Sequence, residues 1–299
     1  MAKKILITGA QGFVGSNVIE QADRNFELHA LSRQPGKVQR EGMHWHIVNP
    51  ADLNRLQEIF QRVQPDAVIH AAAMANIDEC ETHQTLAQMA NVGFTQTLAD
   101  LCHANGTRLV FCSTDTVFDG EHAPYKENDV PQPINFYAKT KVDAEKIVAP
   151  LGTNAVIARL SLVLGLPIVG QGNSFLAAMI ASFKDGRTVS SPTNEIRTPV
   201  DVITLARSLI ELATSNHTGI FHLAGNDSLS RFNLGQIIAE RLGFDRHLVL
   251  PTNSSTMLNR APRPGDVSLS NAKARAELKT PMCGFEEGLS LALRSGKEN

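Results

Sequence analysis

Cysteine, charge of one sign and long apolar runs are all scarce in this 299-residue chain. The 4 cysteines, Cys80, Cys102, Cys112 and Cys283, form no C-x-x-C pair. That spacing argues against a disulfide framework and for a thiol-reduced, cytoplasmic setting. The formal net charge is only -2 and the pI about 6.6, so neither nucleic acid nor a membrane surface is an expected partner. No apolar stretch approaches the ~20 residues that a bilayer-spanning helix requires. The chain starts MAKKILITG, without the apolar run and flanks of a secretory leader.

What is present is 42% hydrophobic and 19% charged, in a length that suits one large domain or two unequal lobes. KILITG, FELHALSR, HWHIVN, DAVIHAAA, RLVFCST and AVIARLSLVLG read as strands. Most are flat apolar runs, as expected of strands buried on both faces. VGSNVIEQA, DLNRLQEIFQRV and TLAQMANVGFTQTLADLCHA carry helical patterning between them. The alternation predicts an α/β fold, a doubly wound parallel sheet of Rossmann type.

After Gly165 the pattern loosens. A helix from Ser174 to Phe183, a strand in TGIFHLAGN and a helix LGQIIAERLG capped by Asn233 or a neighbour are expected. The segment from Asn271 to Gly296 reads as helical with a break at TPMCGF. The predicted organisation is a dinucleotide-binding lobe over 1–165, to which 200–225 returns. A smaller C-terminal substrate-binding lobe takes 166–199 and 226–299, with a cleft between the two.

Directly after the first strand comes Gly9-Ala10-Gln11-Gly12-Phe13-Val14-Gly15, a G-x-x-G-x-x-G run that opens the first helix. Gly9 lets the chain turn, Gly12 lets a pyrophosphate approach, and Gly15 allows close helix packing. An acid that would hold the ribose hydroxyls of NAD is expected at the end of the second strand. This chain has Leu31-Ser32-Arg33 there, with Lys37 and Arg40 following and no acid before Glu41. A hydroxyl and a guanidinium suit a 2′-phosphate, so NADP(H) is the preferred cofactor and NAD(H) the second option.

The stretch FYAKTK places Tyr137 and Lys141 four residues apart, on one face of a helix, with Lys139 directed elsewhere. An ammonium beside a phenol favours the phenolate and so lowers its pKa, which suits proton transfer near neutral pH.

Taken in order, GAQGFVG, DAVIHAAAMANIDECE, Asn91 in MANVGF, STDTVFDG, YAKTK and RPGDVSLS resemble an extended short-chain dehydrogenase/reductase. The likeness is to the dTDP-4-dehydrorhamnose reductase family in particular, over nearly the whole chain. The resemblance implies a metal-free carbonyl reduction in which Tyr137 protonates the developing alkoxide. Lys141 would hold the nicotinamide ribose, and Thr114 would hydrogen-bond the substrate oxygen, with Ser113 as the adjacent alternative. Asn91 would steady the lysine. Ala71, Ala72 and Ala73 would line the cofactor, with Phe13 and Val14 in the glycine loop and Asn49 and Pro50 near the adenine. Met74, Asp115, Asn173 and Arg197 are the implied substrate contacts, although Asp115 could instead cap a turn and Arg197 could instead brace the lobe interface.

The chain departs from the family pattern at Asn194-Glu195-Ile196-Arg197-Thr198-Pro199 and at Thr204, where aspartate is common. The implied activity is NADPH-dependent reduction of the 4-keto group of a nucleotide-activated deoxysugar, in an enzyme that forms homodimers. Two rivals share the cofactor motifs: an NAD-dependent nucleotide-sugar epimerase or dehydratase, and a non-catalytic NADP-binding subunit that modulates a methionine adenosyltransferase. His44-Trp45-His46 offers two imidazoles without a third ligand nearby, so no metal is expected. Cys80 and Cys112 read as small hydrophobes.

Overall fold

Seven short strands form one parallel sheet: β1 (Lys4–Thr8), β2 (Glu27–Ser32), β3 (Met43–Ile47), β4 (Ala67–His70), β5 (Arg108–Thr114), β6 (Ala155–Leu160) and β7 (Gly219–Leu223). Their spatial order is β7-β6-β5-β4-β1-β2-β3, and every neighbouring pair is parallel. The computed structural model describes residues 2–36, 38–169, 174–257 and 260–295.

The sheet is apolar on both faces, which accounts for the flat runs in the sequence. Ile5 and Ile7 pack to one side with Val18, Ile69, Val110, Leu205 and Leu209. Leu6, between them, packs to the other with Leu56, Phe60, Val68, Leu98 and Phe111. Helices Phe13–Gln21 and Val202–Thr214 lie on the first side, and Leu53–Val63 and Phe94–Asn105 on the second. The Val202–Thr214 helix starts at Asp201, whose carboxylate accepts from the Ile203 and Thr204 amides at 3.1 and 2.8 Å.

A separate apolar cluster gathers Leu176, Met179, Phe183, Leu234, Ile238, Val249 and Leu289 from the C-terminal segments. There the expected boundaries shift in small ways. The Arg231–Arg241 helix begins earlier than its apolar run suggests, because Ser230 rather than Asn233 supplies the cap, accepting from the Asn233 amide at 3.1 Å. The C-terminal helical region is two helices, Ala272–Glu277 and Phe285–Ser295. The long helical run before Asn105 is interrupted by a π-helical turn over Met89–Gly93.

Strand order reverses between β1 and β4, and the carboxyl ends of these strands face the point where dinucleotides bind in such sheets. Thr8, Ser32, His70 and Thr114 are the last residues of β1, β2, β4 and β5. The candidate site is built on them.

Candidate active site

Gly9 leaves β1 with a φ of +65°, and a Cβ on it would lie 2.7 Å from the Ala72 amide nitrogen. A Cβ on Gly15 would meet the Gly9 carbonyl oxygen at 2.3 Å. Strand end, helix start and the segment after β4 therefore touch, and only glycine fits. Gly12 is the N-cap of the Phe13–Gln21 helix, no side chain caps it, and no acid occupies its first turn. Its amides remain aimed at whatever anion sits above. Phe13 and Val14 are partly buried, and a Cβ on Gly165 would come within 3.3 Å of the Phe13 ring.

The segment after β4 is held from below by neutral hydrogen bonds. The Ala72 amide donates to Thr8 Oγ1 at 3.2 Å, and Thr8 Oγ1 lies 2.7 Å from His70 Nδ1. His70 Nε2 is 3.0 Å from Thr95 Oγ1. Burial, with Lys141 adding to it, pushes the His70 imidazole down to about 3, so it stays uncharged. Ala71 and Ala72 are partly buried and Ala73 is exposed.

At the end of β2, where the adenosine is expected, the Ser32 hydroxyl donates to the Gln34 carbonyl. Arg33 is exposed and makes no hydrogen bond or ion pair among the described residues. Arg40 is committed elsewhere: its guanidinium donates to the carbonyls of Ile19, Ala22 and Asp23 at 2.9, 2.8 and 2.8 Å, capping the first helix. Lys37 lies outside the described residues. Asn49 is exposed beyond β3, its Oδ1 accepting from the Ala51 amide at 3.1 Å with Pro50 between.

The part of the site expected to meet the nicotinamide is assembled from β5 and the Phe136–Val148 helix, which Asn135 caps by accepting from the Ala138 amide at 2.8 Å. Tyr137 and Lys141 share a face of that helix, while Lys139 is exposed. Lys141 is 2% exposed, and its Nζ sits 4.1 Å from the centroid of the Phe111 ring. Burial depresses the Lys141 ammonium to about 8, with Cys112 and Glu145 opposing the shift.

Tyr137 departs from the sequence expectation. Its phenol is pushed well above the ordinary value, first by burial and then by the Asp115 carboxylate, while a hydrogen bond with Thr114 pulls it down. Desolvation in the cleft dominates. The proton therefore stays on the phenol.

Adjacent residues on a strand face opposite ways, and this separates the two candidate hydroxyls. Ser113 donates to Glu145 Oε1 at 2.5 Å, on the side where Glu145 meets Arg159. Thr114 faces Tyr137, with Thr116 Oγ1 3.0 Å away and the Thr116 amide donating to it at 3.2 Å. Asn91, in the π turn, ties three parts together. Its Oδ1 accepts from the Met74 amide at 2.8 Å, and its Nδ2 donates to the Met74 carbonyl at 3.1 Å and to Thr140 Oγ1 at 2.9 Å. It fixes the segment carrying Met74 against the helix of Tyr137 and Lys141.

On the substrate side, Asp115 is buried, and desolvation raises its carboxyl despite Arg197. Arg197 lies 3.9 Å from Asp115 and donates to the carbonyls of Ile196, Gly265 and Pro264 at 2.7, 2.7 and 3.1 Å. These contacts brace the loop after Pro262 against the site. Asn173 lies outside the described residues. Cys80 donates to the Met74 carbonyl at 3.1 Å, and burial lifts Cys80 and Cys112 to about 11 and about 12, so neither is a ready thiolate. His46 pairs with His29 at 3.0 Å and is held down to about 4 by burial. No group of three or more His, Cys, Asp or Glu able to hold a metal occurs among the described residues.

Several features escaped the sequence reading. Glu145 follows Lys141 by one helical turn, a spacing that was available. Arg159 interrupts an apolar strand, which signalled a buried partner. Asp78 grips Arg263 through two bonds, at 2.7 and 2.8 Å, joining the segment after β4 to the C-terminal loop. Arg231 has its guanidinium 4.4 Å from the Phe175 ring and makes no side-chain hydrogen bond among the described residues, and desolvation with the nearby Arg197 lowers it to about 10. Nothing local in sequence marked either contact.

The chain is 29% identical over 277 residues to methionine adenosyltransferase 2 subunit beta of Pongo abelii, covering 91% of this chain and 81% of that protein. It is likewise 29% identical to dTDP-4-dehydrorhamnose reductase of Mycobacterium tuberculosis, covering 98% and 93% of the two chains. The crystal structure of dTDP-4-dehydrorhamnose reductase from Bacillus anthracis in complex with NADP superposes with a TM-score of 0.88 at 25% identity, covering 99% and 100% of the chains. The model of the RmlD substrate binding domain matches residues 3–297, and the chain belongs to that family.

Proposed function

We propose that the protein is an NADPH-dependent reductase of the 4-keto group of a nucleotide-activated deoxysugar, as dTDP-4-dehydrorhamnose reductases are. The observation that carries this reading is the placing of Tyr137 and the buried Lys141 on one face of a helix packed against the end of β5, where Thr114 faces the phenol. The glycine cradle fits a dinucleotide, because Gly9 and Gly15 leave room where any Cβ would collide. When bound, the nicotinamide supplies a hydride to the carbonyl carbon.

The chain's residues manage the oxygen. Thr114 donates to the carbonyl oxygen and fixes its position as negative charge grows there. Tyr137, kept protonated by its surroundings, gives its phenolic proton to that oxygen once it becomes alkoxide. Lys141 stabilises the phenolate left behind and offers donors to the cofactor's ribose. Asn91 positions Met74 and, through Thr140, the Tyr137 helix. Arg231, a partly buried cation with no side-chain hydrogen bond or ion pair among the described residues and with Arg197, Glu195 and Asp115 nearby, takes the substrate's diphosphate. The sugar nucleotide then lies between the lobe of residues 1–165 and the smaller lobe of 166–199 and 226–299. Asp115 and Met74 contact the sugar, and Arg197 braces the floor. A cytoplasmic homodimer is the assembly this reading takes.

The relative named as a methionine adenosyltransferase subunit favours a second reading, an NADP-binding regulatory chain. Following NADPH consumption with a panel of dTDP-4-keto-6-deoxy sugars separates them. Turnover supports the reductase. NADPH binding without turnover, together with capture of a methionine adenosyltransferase catalytic chain, supports the second.

A further inference from the structure

The segment after β2 is exposed but fastened. Gln11, inside the glycine loop, donates from Nε2 to the Gln34 carbonyl at 2.9 Å. Trp45, on the neighbouring strand β3, donates from Nε1 to the Val38 carbonyl at 2.9 Å. Gly36 lies directly on the indole: a Cβ built there would sit 1.9 Å from Trp45 Cε2. Arg40 pins the far end to the last carbonyls of the first helix. Arg33, at the root of this segment, is left with a free guanidinium among the described residues.

We infer that Trp45 and Gly36 form a latch that sets the preference for NADPH over NADH by positioning Arg33 for the 2′-phosphate. The inference rests on the NADP(H) reading above. A lone exposed arginine on a free loop visits many positions, and its affinity for phosphate falls with the fraction of time spent in the competent one. Seating Gly36 on the indole and binding the Val38 carbonyl removes that freedom for the backbone next to Arg33. Trp45 and Gly36 are thus positioning residues, acting through Arg33 and not on the phosphate. Any residue other than glycine at 36 would lift the segment from the ring, and any ring without the indole N–H would release Val38.

The test is calorimetric titration of NADPH and NADH into the wild type, Arg33→Ala, Trp45→Phe, Gly36→Ala and the double variant Arg33→Ala/Trp45→Phe. Each single variant is expected to weaken NADPH about tenfold, as when the competent fraction drops to one tenth, with NADH changed by less than about twofold. In the Arg33→Ala background, Trp45→Phe should add nothing further, the mark of two residues acting on one interaction. Equal weakening of NADH, unchanged NADPH affinity, or a Trp45→Phe effect that persists without Arg33 overturns the latch alone. A wild type that prefers NADH overturns the cofactor reading and the latch with it.

Discussion

Glu145 and Arg159 form a bidentate ion pair, Nε to Oε1 at 3.0 Å and Nη2 to Oε2 at 2.8 Å, buried beneath the strand that carries Thr114. Ser113 and Arg159 are register partners on β5 and β6, so the serine, the glutamate and the arginine meet on one face of the sheet. One helical turn before Glu145 stands Lys141. A structural pair and the active-site lysine thus share a helix face, and the pair fixes the register of that helix against the strand.

Removing one partner exposes the value of the pair. Glu145→Ala leaves a buried guanidinium without its anion, and breaking such a pair costs about 3–5 kcal/mol. A large fall in melting temperature is expected. Glu145→Gln should fold better, and because Glu145 helps keep Lys141 charged, its activity should fall off at a lower pH than wild type. A melting curve unchanged in Glu145→Ala would mean the pair is dispensable.

Lys141 makes the reverse prediction. Its pKa is about 8 in the folded protein, against 10.5 for an ordinary lysine. Between those values the unfolded chain binds more protons, so this group's contribution to stability rises with pH across that window and is level below it. The cofactor-free Lys141→Met protein is expected to be more stable than wild type at neutral pH by about 3 kcal/mol, while losing activity. The gap should narrow as pH climbs from 8 to 10.5. Denaturant melts at three pH values measure it.

Thr114 and Ser113 should separate cleanly. Thr114→Val removes a donor to the growing oxyanion and is expected to lower kcat by about 10²–10³-fold, a loss far larger than its effect on melting. Ser113→Ala loses a bond to a charged partner and should cost ~1.5–3 kcal/mol of stability, with kcat nearly intact. Paired kinetics and melts on both variants check the assignment, and the opposite pattern would reverse it.

Much of this was legible in the sequence, and the limits have physical reasons. The glycine run and the flat apolar strands announced the sheet because they report local backbone needs and burial on both faces. Tyr137 and Lys141 were legible because helical spacing alone brings them together. The choice between Ser113 and Thr114 was not, since it depends on which face of β5 looks toward the Phe136–Val148 helix. Arg40 follows Arg33 in the same basic stretch, and only the fold shows that the carbonyls at the end of the first helix claim it. The phenol's raised pKa was missed because burial, the dominant influence, is a property of the folded cleft. Asp78 with Arg263 joins residues far apart in the chain, and no spacing rule reaches that far.

Arg231 carries the substrate half of the account. Arg231→Gln is expected to raise the KM for the nucleotide sugar at least about tenfold, the loss of roughly one charge-assisted bond. NADPH affinity should not move. Initial rates at varied sugar concentration, with calorimetry for NADPH, test it, and an unchanged KM would place the diphosphate elsewhere.

The most direct test of the central claim is NADPH oxidation driven by a dTDP-4-keto-6-deoxy sugar, measured for the wild type and Tyr137→Phe. The account predicts steady turnover by the wild type and a kcat lower by about 10²–10⁴-fold for the variant, the usual worth of a general acid, with NADPH binding intact. Wild-type turnover that survives Tyr137→Phe, or NADPH binding with no turnover of any such sugar, would contradict it.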